Sequence, residues 1–260
     1  MSQRRHTPAD ERFFLMRSLA AVYPDGGSLA PHTHPWGQLI YAVSGVLSVW
    51  TERGVWVAPP QHWAVWAPPG VLHSLRFTGA TALRTLYLRP GLAELAADSA
   101  VVVVVSPLLR ELIVRAVEFG FLDEREPMHA AMSALIVDEL RCHPAAAALD
   151  LPLPQSVRLR KLAEHLLQAP EERSGNLALA ERFGLGVRTL ERDFAAETGL
   201  SLGRWRSQSR FLHALRRLGS GAPVKQAAIE AGYQHPSAFI AAFRGAFNTT
   251  PGRYFQTRRA

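Results

Sequence analysis

The sequence predicts an α+β multidomain protein, with an N-terminal β-barrel flanked by helices and a C-terminal all-α domain that contains two helix-turn-helix motifs. Three observations support this fold class. Short β-rich segments separated by Gly and Pro fill residues 13–88. The hydrophobic period becomes helical after Pro107, and two similar helical units follow each other near the C-terminus. The 260 residues are enough for two compact domains.

The N-terminal segment contains evenly spaced strand candidates, a pattern typical of small all-β sandwiches and barrels. The β-rich segments are QLIYAVSG, LSVWTERG, VWVAPPQHWAVWAPPG and LRTLYLRP. The valine run in AVVVVVSP predicts one more buried strand. We therefore assign residues 1–105 to the β-barrel domain.

Two amphipathic helices are predicted within residues 106–143, each with a proline at or near its first turn. Their apolar side chains follow helical spacing and are Leu108, Leu109, Leu112, Ile113, Ala116 and Val117, then Met128, Ala131, Met132, Leu135, Ile136 and Leu140. These stripes need a partner, either the barrel or a second subunit. Residues 144–156, with spaced prolines and small residues, are predicted to link the pair to the helical domain 157–260.

Composition narrows the class of protein. Cys142 is the only cysteine, which excludes an internal disulfide framework and suits a reducing compartment. No apolar run reaches the ~20 residues that a membrane-spanning helix needs. The N-terminal MSQRRHTPADERFF lacks the apolar core of a signal peptide. We therefore expect a cytoplasmic protein with no membrane partner.

The charge is concentrated in the C-terminal part of the chain. Residues 1–155 hold 12 arginines against 14 Asp and Glu, whereas residues 156–260 hold 17 Lys and Arg against 8 Asp and Glu. The whole net charge of +7 therefore comes from the helical domain. A basic domain attached to a near-neutral one indicates a polyanion partner, most simply nucleic acid.

An internal repeat follows the linker. The units are NLALAERFGLGVRTLERDFAAETGLSLGRW and PVKQAAIEAGYQHPSAFIAAFRGAFNTTPGRY, and the segment GRWRSQSRFLHALRRL predicts a long connecting helix. Each unit has a short helix, a glycine-containing turn and a longer helix, which is the order of a helix-turn-helix. Ala180 matches Ala228 and Phe194 matches Phe243, so the two units share their predicted core positions.

The second helix of the first unit begins near Val187 and presents polar side chains on one face. Arg188, Glu191 and Arg192 stand at i, i+3 and i+4. Arg can bind guanine through two hydrogen bonds, and Glu can accept one from cytosine. The predicted DNA-contacting residues of this unit are Arg188, Thr189, Glu191 and Arg192. An ordinary solvated polar face is the alternative.

The second unit offers smaller side chains for the same task. Its reading helix begins at Pro236, and Ser237 and Ala241 lie on its exposed edge. We expect weaker base reading there. Arg244 and Arg253 are expected to contact phosphates, which position a protein without specifying sequence.

Residues from about 155 to 258 resemble the AraC/XylS family of bacterial transcription regulators, most specifically through IEAGYQHPSAFIAAFRGAFNTTPGRY. The resemblance implies that two helix-turn-helix units read adjacent major-groove segments of double-stranded promoter DNA. It also implies a homodimer through the helices of residues 106–143, and RNA polymerase as a partner if the protein is an activator. The positions that carry over in the second unit are Pro236, Ser237 and Ala241, where relatives often have polar residues.

The N-terminal half resembles the cupin-like β-barrel sensor domains of the same family. The cupin pattern matches His32, His34, Gln38, Gly45 and, after PPGVLH, His73. The resemblance implies a metal site formed by His32, His34, Gln38 and His73, in which the two histidines of HTH project from one strand. Imidazole and carbonyl oxygen suit Zn, Fe, Ni, Cu or Mn.

Gln38 stands where the cupin pattern commonly has Glu, so the site supplies no anionic ligand to offset the charge of an ion. Three interpretations stay open: a bound metal, a metal-free effector pocket with the same residues, and structural histidines. Trp36 and His62 are added as candidate effector-binding residues, because aromatic pockets with few polar groups suit small organic ligands.

The sequence predicts a transcription regulator whose barrel senses a small molecule, a metal or both, and no enzyme activity is expected. A metal-dependent cupin dioxygenase or isomerase with an accessory DNA-binding domain is the alternative. A sensor of metal ions alone is a third possibility.

Overall fold

The computed structural model describes residues 11–93, 95, 99–142 and 149–256. In these ranges an antiparallel sheet forms the N-terminal domain and a bundle of helices forms the C-terminal domain, which confirms the predicted fold class. Two helices lie between them in the chain and pack on the sheet.

A short 3-10 helix (Glu11–Phe13) precedes nine strands. They are β1 (Phe14–Tyr23), β2 (Ser28–His32), β3 (Gly37–Trp50), β4 (Gly54–Ala58), β5 (Trp63–Ala67), β6 (His73–Leu88), β7 (Val101–Val104), β8 (Phe121–Asp123) and β9 (Asp150–Pro152). The sheet order is β7-β5-β3-β6-β1-β8, with β2 paired to β6, and β4 paired to both β3 and β9.

The segments QLIYAVSG and LSVWTERG form one strand, β3, rather than two. Gly45 lies between them with a φ of +77°, a conformation that glycine adopts at little cost. The ladder between β3 and β6 shifts register around this position, which makes a bulge instead of a turn. The paired strands curl, and Gln38 at one end of the ladder comes within 3.0 Å of His73 at the other.

Helices α1 (Pro107–Phe119) and α2 (Pro127–Cys142) form as predicted and cover one side of the sheet. Ile113 of α1 and Ile136 of α2 are fully buried, in a core shared with Tyr41 of β3. For these side chains the partner is the sheet, which is one of the two partners that the sequence left open. The members of the predicted apolar stripes that stay exposed are Leu108, Met128, Ala131 and Leu135.

The segment predicted as a linker is partly structured. Residues 144–148 lie outside the described residues. Beyond them, β9 pairs with β4 in the register Gly54–Pro152 and Trp56–Asp150. The end of the predicted linker therefore belongs to the sheet, because an edge strand offers unpaired backbone groups for it to pair with.

The C-terminal domain contains α3 (Val157–Gln168), α4 (Asn176–Arg182), α5 (Val187–Thr198), α6 (Leu202–Gly219), α7 (Val224–Glu230), α8 (Pro236–Phe247) and α9 (Pro251–Gln256). Helices α4 and α5 form the first helix-turn-helix unit, α7 and α8 the second, and α6 connects them, as the repeat predicts. The matched pairs Ala180 and Ala228, and Phe194 and Phe243, are all buried.

The two domains share one continuous hydrophobic core. Trp205 of α6 is fully buried, and its Nε1 donates a hydrogen bond of 2.6 Å to the carbonyl of Pro152 in β9. Tyr254 of α9 donates its hydroxyl to the carbonyl of Pro60, between β4 and β5, at 3.0 Å. Among the described residues, no helix is long and apolar enough to cross a membrane.

Candidate functional sites

Three histidines converge at the open end of the sheet. His32, the last residue of β2, pairs in register with His73, the first residue of β6. The prediction that His34 shares a strand with His32 is wrong: His34 lies two residues after the end of β2, directly before the bend at Pro35 and Trp36. The ring centroids of His32 and His34 lie 4.6 Å and 5.0 Å from that of His73. One ligand atom of each ring lies within 4.8 Å of the other two.

The three rings are oriented by the same kind of contact. The Nδ1 of His32 lies 2.8 Å from the carbonyl of Ala30, and the Nδ1 of His73 lies 2.9 Å from that of Val71. His34 makes the corresponding contact with the carbonyl of Trp36. Because a carbonyl only accepts, each Nδ1 must donate its proton. A neutral ring therefore carries a lone pair on Nε2, as metal-binding histidines commonly do.

Gln38 places its amide oxygen against two of these lone pairs. Its Oε1 lies 2.9 Å from His34 Nε2 and 3.0 Å from His73 Nε2. Its Nε2 donates to Thr85 Oγ1 at 3.0 Å and to the Tyr87 hydroxyl at 3.1 Å. Thr85 gives its own proton to the carbonyl of Leu39 at 2.9 Å, so it can only accept from the amide. This contact decides which end of the amide faces the histidines.

Protonation of His73 does not supply the missing donor near neutral pH. Burial lowers the pKa of His73 to about 4, although the bond to the Val71 carbonyl raises it, and the neighbouring His32 and His34 add smaller lowering effects. Its Nε2 and the Gln38 oxygen are then two acceptors at hydrogen-bond distance with no proton between them. Such an arrangement is unfavourable unless a cation lies among the acceptors.

The donor set is therefore chemically suited to a divalent transition metal. Imidazole nitrogen is a ligand for Zn, Fe, Ni and Cu, and the amide oxygen adds a harder donor. His32, His34, Gln38 and His73 are the residues that would hold it. They carry no negative charge, so the charge of the ion would be offset less than at a site that contains a carboxylate.

Trp36 and His62, the other two candidates for effector binding, add no side chain to the histidine cluster. Trp36 gives its backbone carbonyl to His34, while its ring packs under Arg17, whose Cζ is 4.7 Å from the ring centroid. His62, which was predicted as an effector-binding residue and not as a metal ligand, lies outside the cluster. It precedes β5 at the end remote from Ala67, the partner of Gln38, and its ring packs 5.8 Å from that of Tyr254.

The sequence analysis did not find Thr85 and Tyr87. These two residues orient Gln38 from the end of β6, and Tyr87 also packs edge-on against His34 at 5.2 Å. The available signal was the alternation in LRTLYLRP, where two polar side chains stand at i and i+2 in an apolar strand.

The predicted reading helix of the first unit is α5, which begins at Val187 as expected. Its side chains Arg188, Glu191 and Arg192 are exposed on one face, whereas Thr189 is half-buried. Leu190 and Phe194 are fully buried on the other face. This division matches the amphipathic pattern read from the sequence.

Two of these polar side chains have intramolecular partners. Glu191 accepts a hydrogen bond of 2.7 Å from Asn176, the first residue of α4. Arg192 pairs with Asp193 at 2.7 Å, and this contact raises the pKa of the guanidinium above its usual value. Arg192 therefore stays charged, while Glu191 is partly committed to the first helix of its own unit.

The second reading helix, α8, begins at Pro236, as predicted. Ser237, Ala241 and Arg244 are exposed, and Arg253 is exposed on α9. Pro236 itself is half-buried. Ser237 and Ala241 offer few hydrogen-bonding groups to a DNA base. The arginines of this unit lie elsewhere, with Arg244 in the last turn of α8 and Arg253 on α9.

Comparison with protein families gives two matches, which overlap at residues 179–183. Residues 17–183 match the family profile described as the AraC-like ligand binding domain, which covers more than half of the chain. The chain belongs to the AraC family of transcription regulators. Residues 179–257 of this AraC-family chain match the profile of a helix-turn-helix domain.

Two regulators are similar to this chain in sequence, and one solved structure aligns with most of it. The chain is 34% identical over 223 residues to the HTH-type transcriptional regulator NimR of Escherichia coli, across 86% of this chain and 81% of that protein. It is 30% identical over 103 residues to the HTH-type transcriptional regulator RipA of Corynebacterium glutamicum, across 40% of this chain and 31% of that protein. A structure of ToxT from Vibrio cholerae aligns with a TM-score of 0.41 at 8% identity, across 94% of this chain and 99% of that one.

As an AraC-family regulator, the protein combines a ligand-binding domain with a DNA-binding helix-turn-helix domain. The histidine cluster lies in the first of these domains and the reading helices in the second. Its relatives are transcription regulators rather than enzymes.

Proposed function

We propose that this regulator senses a small molecule at the histidine cluster, with a divalent transition metal held by His32, His34, Gln38 and His73. The observation that supports the proposal is the convergence of lone pairs, in which the Gln38 oxygen and two imidazole nitrogens face each other at hydrogen-bond distance. When bound, the ion would supply a Lewis-acidic centre for a donor atom of the effector.

The residues of the chain orient this site and connect it to the rest of the sheet. Carbonyl groups hold the three rings, and Thr85 and Tyr87 hold Gln38. An effector regulates DNA binding only if it binds one arrangement of the domains more tightly than another. The shared core between the domains gives a route for such coupling.

The alternatives differ in what satisfies the lone pairs. In a metal-free pocket, the effector would donate hydrogen bonds to the lone pairs of the histidines. Purely structural histidines would need hydrogen-bond donors from the protein itself. An enzyme is disfavoured because the groups that contact the cluster are amide, hydroxyl and phenol, without a paired general acid and base. The relatives of this chain are transcription regulators, and we infer that the chain has no catalytic role.

The first test is elemental analysis of the full chain purified without a metal-affinity column. We expect one transition-metal ion per chain in the wild type and none in His32→Ala/His73→Ala. The matched control is His62→Ala, which removes a histidine outside the cluster and should keep the ion. A wild-type protein that stays metal-free after incubation with Zn, Fe, Ni, Cu or Mn would contradict the metal proposal.

We also propose that α5 supplies the base contacts. Exposed Arg188 and Arg192 match the geometry of guanine recognition, and Glu191 can accept from cytosine once it exchanges its bond with Asn176. Thr189 would support the contact at the edge of this face. In α8, Pro236, Ser237 and Ala241 would approach the groove, with Arg244 and Arg253 on phosphates.

Arg192→Ala is expected to weaken binding to a DNA site, selected in vitro by the wild type, by about 1–3 kcal/mol, because a bidentate base contact is lost. Binding to random DNA should change little. Arg244→Ala is the comparison variant, since loss of a phosphate contact weakens all sequences alike and lowers the salt slope by ~1. Equal losses on selected and random DNA in Arg192→Ala would remove it from the base-reading set.

The remaining partners follow from the surface and the family. Leu108, Met128, Ala131 and Leu135 stay exposed on α1 and α2, and they support a homodimer through these helices. We further propose that the protein acts in the cytoplasm on double-stranded promoter DNA, and contacts RNA polymerase if it is an activator.

A further inference from the structure

One face of β3 packs against the end of α6, and polar side chains of both elements lie at this contact. Val46, Ser48 and Trp50 alternate along this face in unbroken register with β6. Val46 packs directly on Gly219 at the end of α6, where a side chain would overlap its methyl group. Arg216 precedes Gly219 by one helical turn, so it lies over the same part of the sheet.

Arg76 of β6 joins this group from the sheet side. It is the register partner of Ser48, and its Cζ lies 4.3 Å from the centroid of the Trp50 ring. His73 points to the opposite face of β6, because the two positions differ by three residues along a strand. The group is therefore separate from the histidine cluster.

Two buried polar atoms of this face have no partner among the described residues. Ser48 is 1% exposed, and its Oγ makes no hydrogen bond. The Nε1 of Trp50 is likewise buried and donates to no described residue. Buried donors without acceptors are costly, and most protein structures avoid them.

The two arginines also lack a counter-charge. In the described ranges, no carboxylate forms an ion pair with Arg76 or Arg216. Burial, and then the charge of Arg76, lower the pKa of Arg216 to about 10. The neighbouring Arg217, by contrast, is paired with Glu230. Two guanidinium groups without a carboxylate partner among the described residues therefore lie near each other, and Arg76 also contacts the ring of Trp50, whose indole N–H has no described acceptor.

We propose that Arg76, Arg216 and Trp50 form a binding site for an oxyanion, the carboxylate or phosphate group of a small molecule, between the sheet and α6. Guanidinium groups bind such anions through two parallel hydrogen bonds. The indole N–H and the Ser48 hydroxyl add neutral donors. Arg76 is exposed, so an anion can reach this guanidinium from solvent. Because one arginine belongs to each domain, the anion links the ligand-binding domain to the helix that connects the reading units.

The test is a thermal-unfolding titration of the full chain without DNA, using benzoate and inorganic phosphate separately, with chloride at matched ionic strength as reference. We expect a saturable rise in Tm, and the anion that saturates at lower concentration identifies the carboxylate or phosphate source. Arg76→Gln and Arg216→Gln should each raise the half-saturation concentration at least ten-fold. Trp50→Phe should raise it less, because the ring that supports Arg76 remains.

The matched control is Arg53→Gln, an exposed arginine of the same domain at the turn between β3 and β4, which should respond like the wild type. If Arg216→Gln fails to fold, the exposed Arg76 still decides the outcome. No anion-specific rise in the wild type, or the same rise in every variant, overturns the proposal. So does a uniform loss of DNA affinity in Arg76→Gln without any anion effect, since the arginines would then contact the DNA backbone.

Discussion

Replacing Trp205 with alanine is expected to lower the free energy of unfolding by about 3–5 kcal/mol, the usual cost of removing a large aromatic side chain from a core. Trp205 is fully buried and packs edge-on against Phe194 of the first reading helix, with ring centroids 5.5 Å apart. Its loss removes the support of α5, so specific DNA binding should fall with stability.

Trp205→Phe separates packing from hydrogen bonding at this position, and Trp36→Ala is the comparison variant at a less buried tryptophan. Trp205→Phe keeps most of the ring but leaves the carbonyl of Pro152 without its donor, which should cost about 1–3 kcal/mol. Trp36→Ala removes a half-buried tryptophan on the sheet and should cost less than Trp205→Ala. Chemical denaturation measures all three, and a Trp205→Ala protein within about 0.5 kcal/mol of the wild type would refute this account.

Gly219→Ala is expected to destabilise the contact between α6 and the sheet by about 1–3 kcal/mol, the range seen when a packed core is overfilled. A Cβ at this position would overlap the side chain of Val46. The helix end must therefore move away from β3. The free energy of unfolding and hydrogen exchange of the backbone around Val46 would report the change.

Gly203→Ala is the matched control, because Gly203 lies in the same helix with open space around it. Alanine there should be neutral or slightly stabilising, since it favours helix over glycine. Adding Val46→Ala to Gly219→Ala should recover part of the loss through a favourable coupling energy. Equal effects of the two glycine replacements would show that close packing on the sheet is not the cause.

The helical domain could be predicted in detail from the sequence. Its signals are local: prolines at helix starts, glycine turns between helices, and polar side chains at i, i+3 and i+4 on α5. Val187 and Pro236 begin the two reading helices as expected. The bond between Glu191 and Asn176 was not predictable, because it depends on how α4 crosses α5.

The histidine cluster was predicted only in part. Spacing and resemblance pointed to His32, His34, Gln38 and His73, and the structure brings all four together. It also moves His34 off the strand, leaves His62 at the domain boundary, and adds Thr85 and Tyr87. The convergence itself depends on the pairing of β2 with β6 and on the register shift of β3 around Gly45, and no local pattern predicts either of them.

The sequence by itself determined the order of the elements, the basic character of the helical domain and which side chains are candidates for metal and DNA binding, because periodicity, charge and turn residues act over a few positions. Only the tertiary structure decided what covers each face. It placed the sheet on the stripes of α1 and α2, paired β9 with β4, and set Arg216 beside Arg76. Such contacts join residues far apart in the chain, and they depend on strand register and helix docking, which the free energy of the whole fold selects.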